Sequence, residues 1–424
     1  MKVLLSAYAC EPGRGSEPAV GWNWVCQAAR FHQVSVITRA NNRAQIEAFL
    51  SEEPMPNVQW VYFDLPRWAS FWKKGHHGIH LYYCLWQIGA YFLAKRLHRR
   101  RPFDLAHHAT FVNYWLPIYL VLLPVPLVWG PVGGGESAPP GFWHRCSLRG
   151  KAYEFLRQLG RSLGEINPFV RRTGQEAAFV LATTDETAKR LRRLGCKRVQ
   201  VCSQVGLPQN EIERLKSFPL LRESNTFRVL SVGSLIHFKG FDLGLEAFAN
   251  FQRRFPRSEY RLVGDGPERK RLERLARRLG VAGQVMFLGE LPRGEVLAKL
   301  GECDVLLHPT LHDSGGWASL EAMAAGRPVI CLDCGGPALQ VTPETGIKVA
   351  GISPSQVISD LAEALVRLAS DPEGRARLGA MARVRVREHF SWDSKGEDLM
   401  AVYSEAVRGT TAEECQDTYG FLRS

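Results

Sequence analysis

From residue 227 onward, short apolar runs that end in glycine alternate with amphipathic runs at helical spacing. "FRVLSVGSL" (227–235) precedes "GFDLGLEAFANFQRRF", and "EYRLVGDGP" (259–267) precedes "ERKRLERLARRLG". "QVMFLGEL" is followed by "RGEVLAKLGEC", and "DVLLHPT" by "WASLEAMAAG" and then "RPVICLD". Strand-length apolar runs separated by helix-length segments read as parallel neighbours in one sheet, with the helices covering both faces. The first half repeats the pattern more loosely, through "KVLLSAY", "QVSVITR", "VQWVYFD", "DLAHHAT", "PLVWGPV" and "AFVLATT". At 424 residues the chain exceeds one ordinary core, so two domains are expected. The predicted fold class is α/β, with two Rossmann-like doubly wound domains facing a central cleft. In such sheets ligands bind beyond the carboxyl ends of the strands. The joint is expected within 205–226, "VGLPQNEIERLKSFPLLRESNT", where strand signals stop and polar residues dominate.

Charge divides the halves. The formal net charge is +12, yet residues 1–220 carry 28 Lys and Arg against 15 Asp and Glu, while the remainder carries 26 against 27. A basic first half calls for an anionic partner. No zinc-finger spacing and no aromatic-basic ribonucleoprotein signature is present, which argues against nucleic acid. Of ten cysteines only Cys331 and Cys334 form a CxxC. With no second Cys or His pair beside them they read as core thiols in a reducing cytosol, not as a zinc site. "MKVLLSAYACEPG" reads as a first strand, its apolar run being short for a secretory signal. "YYCLWQIGAYFLAKRLHRRR" (82–101) and "WLPIYLVLLPVPLVWGPVGGG" (115–135) are too short or too Pro-interrupted to span a bilayer. They are expected as a buried or surface-lying helix and a buried strand. An apolar face beside Lys95, Arg96, Arg99, Arg100 and Arg101 also suits an anionic lipid surface.

The stretch "HDSGGWASLEAMAAGRPVI" (312–330) holds two carboxylates, Asp313 and Glu321, around Gly315 and Gly316 and then enters a helix near Trp317. The first N–H groups of a helix suit an anion, and glycines let a phosphate approach the backbone. Carboxylates are acceptor-only groups suited to sugar hydroxyls. A Gly-Gly turn with Glu321 as a helix-start charge accounts for the spacing equally well. "VGSLIHFKGFD" (232–242) is a second glycine loop, with Lys239 placed for a diphosphate or simply for solvent. "VGDGP" (263–267) is a third.

The ordered series "VGSLIHFKGFD", "RLVGDGP", "VMFLGEL", "DVLLHPTLHDSGGWASLEAMAAGRPVI", "CGGPALQV" and "HFSWD" resembles the family 4 retaining glycosyltransferases of GT-B fold. The resemblance covers most of 225–400. In the first half it rests on "YACEPGRGSEPAVGWNW", "DLAHHATF" and "GPVGGGE". It implies an acceptor-binding domain over 1–210, a nucleotide-sugar-binding domain over 211–393, and a helix over 394–424 that returns to the first domain and ends in a tail. The co-substrate implied is a UDP- or GDP-sugar, with no metal and no other cofactor. The acceptor implied is a glycan or lipid-linked molecule in polysaccharide or glycolipid assembly. The location implied is cytoplasmic, with peripheral contact at the inner face of a membrane left open.

Carried over residue by residue, the resemblance gives Glu321 the donor ribose and Asp313 the donor sugar, where many members have Glu. Gly315, Gly316, Trp317 and Ser319 fall near sugar and diphosphate, and Lys239 takes the diphosphate. Gly233, Ser234, Gly264, Asp265 and Leu291 complete the donor set in this half, and Gly15 and Ser16 join it from the first, in a loop where Glu17 is a further candidate near the donor phosphates and acceptor. Ser234 stands where an arginine is common, which leaves open a catalytically weak sugar-binding or scaffold protein docked on a membrane. His107 and His108 are the candidate catalytic histidines of "DLAHHAT", with Asp313 and Lys239 as further catalytic candidates. A buried structural histidine is the alternative for that pair.

Overall fold

The computed structural model describes residues 1–73, 78–111, 113–145, 147–221 and 224–420. The chain divides into two compact units: residues 1–135, 157–204 and 395–424 form one, and residues 136–156 and 205–394 the other. The division departs from a single cut near 210, because residues 136–156 belong with the second unit. Arg145 explains part of this: its guanidinium pairs with Asp242 at 3.2 Å and with Glu246, both on the helix Phe241–Gln252. Two residues of the expected joint, 222 and 223, and the last four of the tail lie outside the described residues.

The first unit is built on a seven-stranded sheet: β1 (Lys2–Ser6), β2 (Gln33–Thr38), β3 (Val58–Tyr62), β4 (Leu105–His108), β5 (Leu127–Val132), β6 (Phe179–Ala182) and β7 (Val199–Val201), in the order β3-β2-β1-β4-β5-β6-β7. The second has six strands: β8 (Phe227–Val232), β9 (Ser258–Val263), β10 (Val285–Gly289), β11 (Val305–His308), β12 (Val329–Leu332) and β13 (Gly346–Val349), ordered β10-β9-β8-β11-β12-β13. All neighbours are parallel. Read from its own first strand, the second sheet runs 3-2-1-4-5-6, the doubly wound order, and the first sheet runs the same with one strand added. Strand order therefore reverses between β1 and β4 in one unit and between β8 and β11 in the other. The loops leaving those strands are where each sheet opens a crevice.

Burial explains why these strands read as continuous apolar runs. β4, β5, β6, β11 and β12 are buried at every position, as expected when helices cover both faces. The second core joins Phe248 and Phe251 of the helix Phe241–Gln252 to Leu361 and Leu365 of the helix Pro354–Ser370, and the first is built around Trp86, Trp129, Tyr83 and Tyr114. Truncating one such aromatic to Ala costs about 3–5 kcal/mol. Residues 82–100 of the segment 82–101 lie within the helix Ile79–Arg100, and 115–135 holds a short 3-10 turn (Tyr119–Leu122) and β5. Among the described residues no helix is long and apolar enough to cross a membrane.

Candidate functional site

In the second unit the loops after β8 and β11 converge at the switch point. The first runs Gly233–Ile236 into a 3-10 turn, His237–Lys239, and Gly240 then starts the next helix with φ 65°. A Cβ on Gly240 would lie 2.0 Å from the Pro309 carbonyl oxygen, so only glycine lets the two loops approach this closely. Lys239 passes Gly233 and directs its ammonium onto Asp313 Oδ2. Burial alone would raise the Asp313 pKa. The Lys239 ammonium and, 3.7 Å away, the His308 ring outweigh it and hold the carboxyl well below the usual carboxylate range. The same carboxylate accepts the Gly315 N–H through Oδ1 at 3.1 Å.

The helix after this loop spans Trp317–Ala324, with Gly316 as a left-handed N-cap (φ 67°). The motif "CGGPALQ" braces it. Gly336 donates its N–H to the Asp313 carbonyl at 2.7 Å, and Gln340 Nε2 donates to the Gly315 carbonyl at 2.6 Å. At the helix start the Trp317 indole N–H and the Ser319 hydroxyl are buried with no hydrogen-bond partner, and the nearby His308 Nε2 has the Asp313 carboxylate 3.7 Å away. Buried polar atoms are ordinarily paired, so two unpaired donors at one helix end mark a place that suits a polar ligand.

Glu321 sits one turn further in and is buried. Its carboxylate meets Arg293 Nη1 at 2.8 Å, and Arg293 also holds Glu211 at 2.5 Å. Burial raises the Glu321 pKa to about 7, with Arg293 opposing and Glu211 adding to the rise. Gly264 follows β9 and packs on the Gly233 carbonyl, whereas Asp265 is exposed and pairs with Arg269 at 3.2 Å. Ser234 is exposed beside Gly233, and Leu291 is half-buried just before the helix Arg293–Gly301.

In the first unit the loops after β1 and β4 flank the other switch point. Gly15 and Ser16 are exposed, and Ser16 has φ 64° as N-cap of the helix Glu17–Phe31. Glu17 accepts the Phe111 N–H at 2.5 Å, joining the two loops, and burial raises its pKa against that hydrogen bond. His107 and His108 point to opposite faces of β4. His107 uses both nitrogens, Nδ1 with the Tyr403 hydroxyl at 2.7 Å and Nε2 with the Gly130 carbonyl at 2.6 Å. His108 Nε2 meets Tyr83 at 2.7 Å and Gln87 at 3.0 Å, and its Nδ1 is buried without a partner. Burial pushes their pKa values down to about 4 and about 3. Both rings are fully buried, in the arrangement of packed core histidines. The turn "GPVGGGE" is also pinned: Arg161 donates to the Gly134 carbonyl at 2.6 Å, and Gly135 N–H to Thr187 Oγ1 at 3.0 Å.

Two family models divide the chain as the units do in outline: a glycosyl transferase 4-like domain matches residues 14–203, and glycosyl transferases group 1 matches 213–385. The chain belongs to glycosyltransferase family 4. Among curated relatives, the D-inositol 3-phosphate glycosyltransferase of Corynebacterium diphtheriae is 33% identical over 195 residues, 44% of each chain. A GDP-mannose-dependent monoacylated alpha-(1-6)-phosphatidylinositol monomannoside mannosyltransferase of Corynebacterium glutamicum is 32% identical over 193 residues, 44% of this chain and 49% of that one. The match thus spans less than half the length of these relatives. Anabaena HepE, solved with UDP and glucose, aligns over 95% of this chain and 99% of its own with TM-score 0.60 at 18% identity, a likeness of fold. The fold is GT-B, with two Rossmann-like domains.

Within this family member the structure brings Lys239, Asp313, Gly233, Gly315, Gly316, Trp317 and Ser319 together on the loops of the β8/β11 switch point, while Glu321 sits in an ion-pair chain with Arg293 and Glu211. Gln340, His308 and Arg293 are additions that the sequence reading missed. Gln340 lies inside the quoted "CGGPALQV", and His308 ends a strand at the switch point, so both carried a positional signal. Arg293 carried none, being paired with Glu321 across 28 positions of irregular spacing.

Proposed function

We propose that the chain transfers a sugar, with retained anomeric configuration, from a UDP- or GDP-sugar to a glycan or lipid-linked acceptor in polysaccharide or glycolipid assembly. The observation that carries this reading is the Lys239–Asp313 pair at the β8/β11 switch point, with His308 beside Asp313 and the unpaired Trp317 and Ser319 donors around it. On donor binding Lys239 turns from Asp313 to the diphosphate, and Asp313 is released to a sugar hydroxyl. The N-terminus of the helix Trp317–Ala324 adds partial positive charge where negative charge develops on the leaving group. No metal is given a part in this transfer step. The relatives' names support both donor classes: one is GDP-mannose-dependent, and one structural neighbour holds UDP. Incubation with UDP- and GDP-sugars tests the reading through nucleotide release, and the anomeric configuration of the product tests retention. An inverted product contradicts it.

A catalytically weak sugar-binding protein is the second reading. It is favoured by Ser234, which supplies no charge beside Gly233, and by Lys239 being neutralised by Asp313. Sugar binding without nucleotide release supports it.

A membrane surface is the proposed docking partner. On the helix Ile79–Arg100, Leu81, Leu85, Ile88 and Phe92 are exposed at intervals of three and four, which aligns them in one stripe. Exposed Lys95, Arg96, Arg99 and Arg100 follow it, as suits an anionic surface. The cysteines, free wherever described, fit a cytoplasmic location.

A further inference from the structure

Behind the Lys239 loop, in the second unit, three ligating side chains meet. Glu154 comes from the helix Leu148–Ile166, His237 from the 3-10 turn that ends at Lys239, and His312 from the loop just before Asp313. Both imidazoles direct Nε2 at the same oxygen: His237 lies 3.0 Å and His312 2.8 Å from Glu154 Oε1. The three ligand atoms all fall within 4.8 Å of one another. The side chains are 6%, 13% and 7% exposed for Glu154, His237 and His312, so the cluster is largely shielded from bulk water. Aromatic rings wall it. His312 stacks on Phe238 at 4.2 Å between centroids, and Tyr153 meets His237 edge-on at 5.5 Å.

We propose that Glu154, His237 and His312 form a site for one divalent transition-metal ion of the zinc class. Two imidazole nitrogens and one carboxylate oxygen are a donor set that zinc takes, leaving a fourth position for water or another ligand. Tetrahedral bonds of about 2.0–2.1 Å place neighbouring ligand atoms about 3.3 Å apart. The observed contacts therefore need only a small opening to admit an ion. A proton shared within the cluster is the competing way to balance a buried carboxylate against two imidazoles. The choice has a structural consequence. His237 is two residues from Lys239 and His312 is next to Asp313, so an ion here clamps together the two loops that carry the donor-site pair. The ion's role is to hold those loops, and the inference stands whether or not the chain transfers sugar.

The test uses the full chain, tag-free and chelator-treated, with zinc alone in calorimetry and cobalt alone in visible absorption. One equivalent of zinc binds, His237→Ala and His312→Ala each weaken it at least about tenfold, as losing a ligand costs no less than losing a group that merely orients one, and Glu154→Gln weakens it too. Cobalt gives the intense visible bands of a four-coordinate site without the near-ultraviolet thiolate band that Cys331 and Cys334 would produce. No saturable binding in the natural chain overturns the proposal without reference to any variant's folding. So does unchanged affinity in folded His237 and His312 variants, or a thiolate band.

Discussion

Asp313 and Glu321 belong to one motif, eight positions apart, and have opposite electrostatic fates. Asp313 faces an ammonium and stays ionised far into acid. Glu321 is buried with one guanidinium shared with Glu211, and titrates near 7. The consequence for stability has a definite sign. Between about pH 4.5 and about 7 the folded chain keeps a proton on Glu321 that the unfolded chain has released, so rising pH favours unfolding across that window. The natural chain is therefore expected to lose stability relative to Glu321→Gln as pH rises from 4.5 to 7, by up to about 3 kcal/mol, and to change little above. Denaturant midpoints of both chains across that range check this. A difference that is flat, or that grows in favour of the natural chain, contradicts it.

At the scale of elements, the loop and helix at Asp313 depend on backbone that only glycine tolerates and on a brace from the helix Gly335–Gln340. A Cβ on Gly316 would meet Gln340 Oε1 at 2.8 Å, in a backbone with φ 67°. Gly316→Ala is expected to cost about 1–3 kcal/mol, read as a lowered thermal midpoint. The last helix, Trp392–Gly420, is tied to β4 by the Tyr403–His107 hydrogen bond. Tyr403→Phe leaves that buried nitrogen unpaired and is expected to cost about 1–3 kcal/mol; a midpoint equal to the natural chain's contradicts the tie. These particulars show what the sequence could and could not disclose. β8 to β12 were legible because each is a β-branched or leucine-rich run closed by a glycine or proline turn. β7 and β13 were not: they are three and four residues long, half-exposed at sheet edges, and carry no apolar run. Glycine loops at strand ends exposed Lys239 and Asp313, since local spacing places them. His107 and His108 stood out as a pair, but alternation on β4 sends them into two different packing faces. Glu154 meets histidines 83 and 158 positions away, a proximity that no local pattern encodes.

For the whole molecule, the surplus of positive charge lies in the first half of the chain, and the exposed Leu81–Phe92 stripe lies there too. Sedimentation with anionic vesicles is expected to carry the chain down at low salt and release it at high salt. Leu85→Asp with Phe92→Asp is expected to abolish pelleting while leaving the fold intact, and pelleting that persists in this variant contradicts the assignment. The Lys239–Asp313 pair lies within the second unit, so donor binding there is expected without any acceptor. Calorimetry of UDP-glucose and GDP-mannose against the natural chain, Lys239→Ala and Asp313→Ala tests that claim most directly. The account predicts saturable binding of one of the two donors, weakened about tenfold or more in Lys239→Ala as a charge-assisted contact is lost, and weakened also in Asp313→Ala. Binding of neither donor, or equal affinity in all three chains, contradicts it.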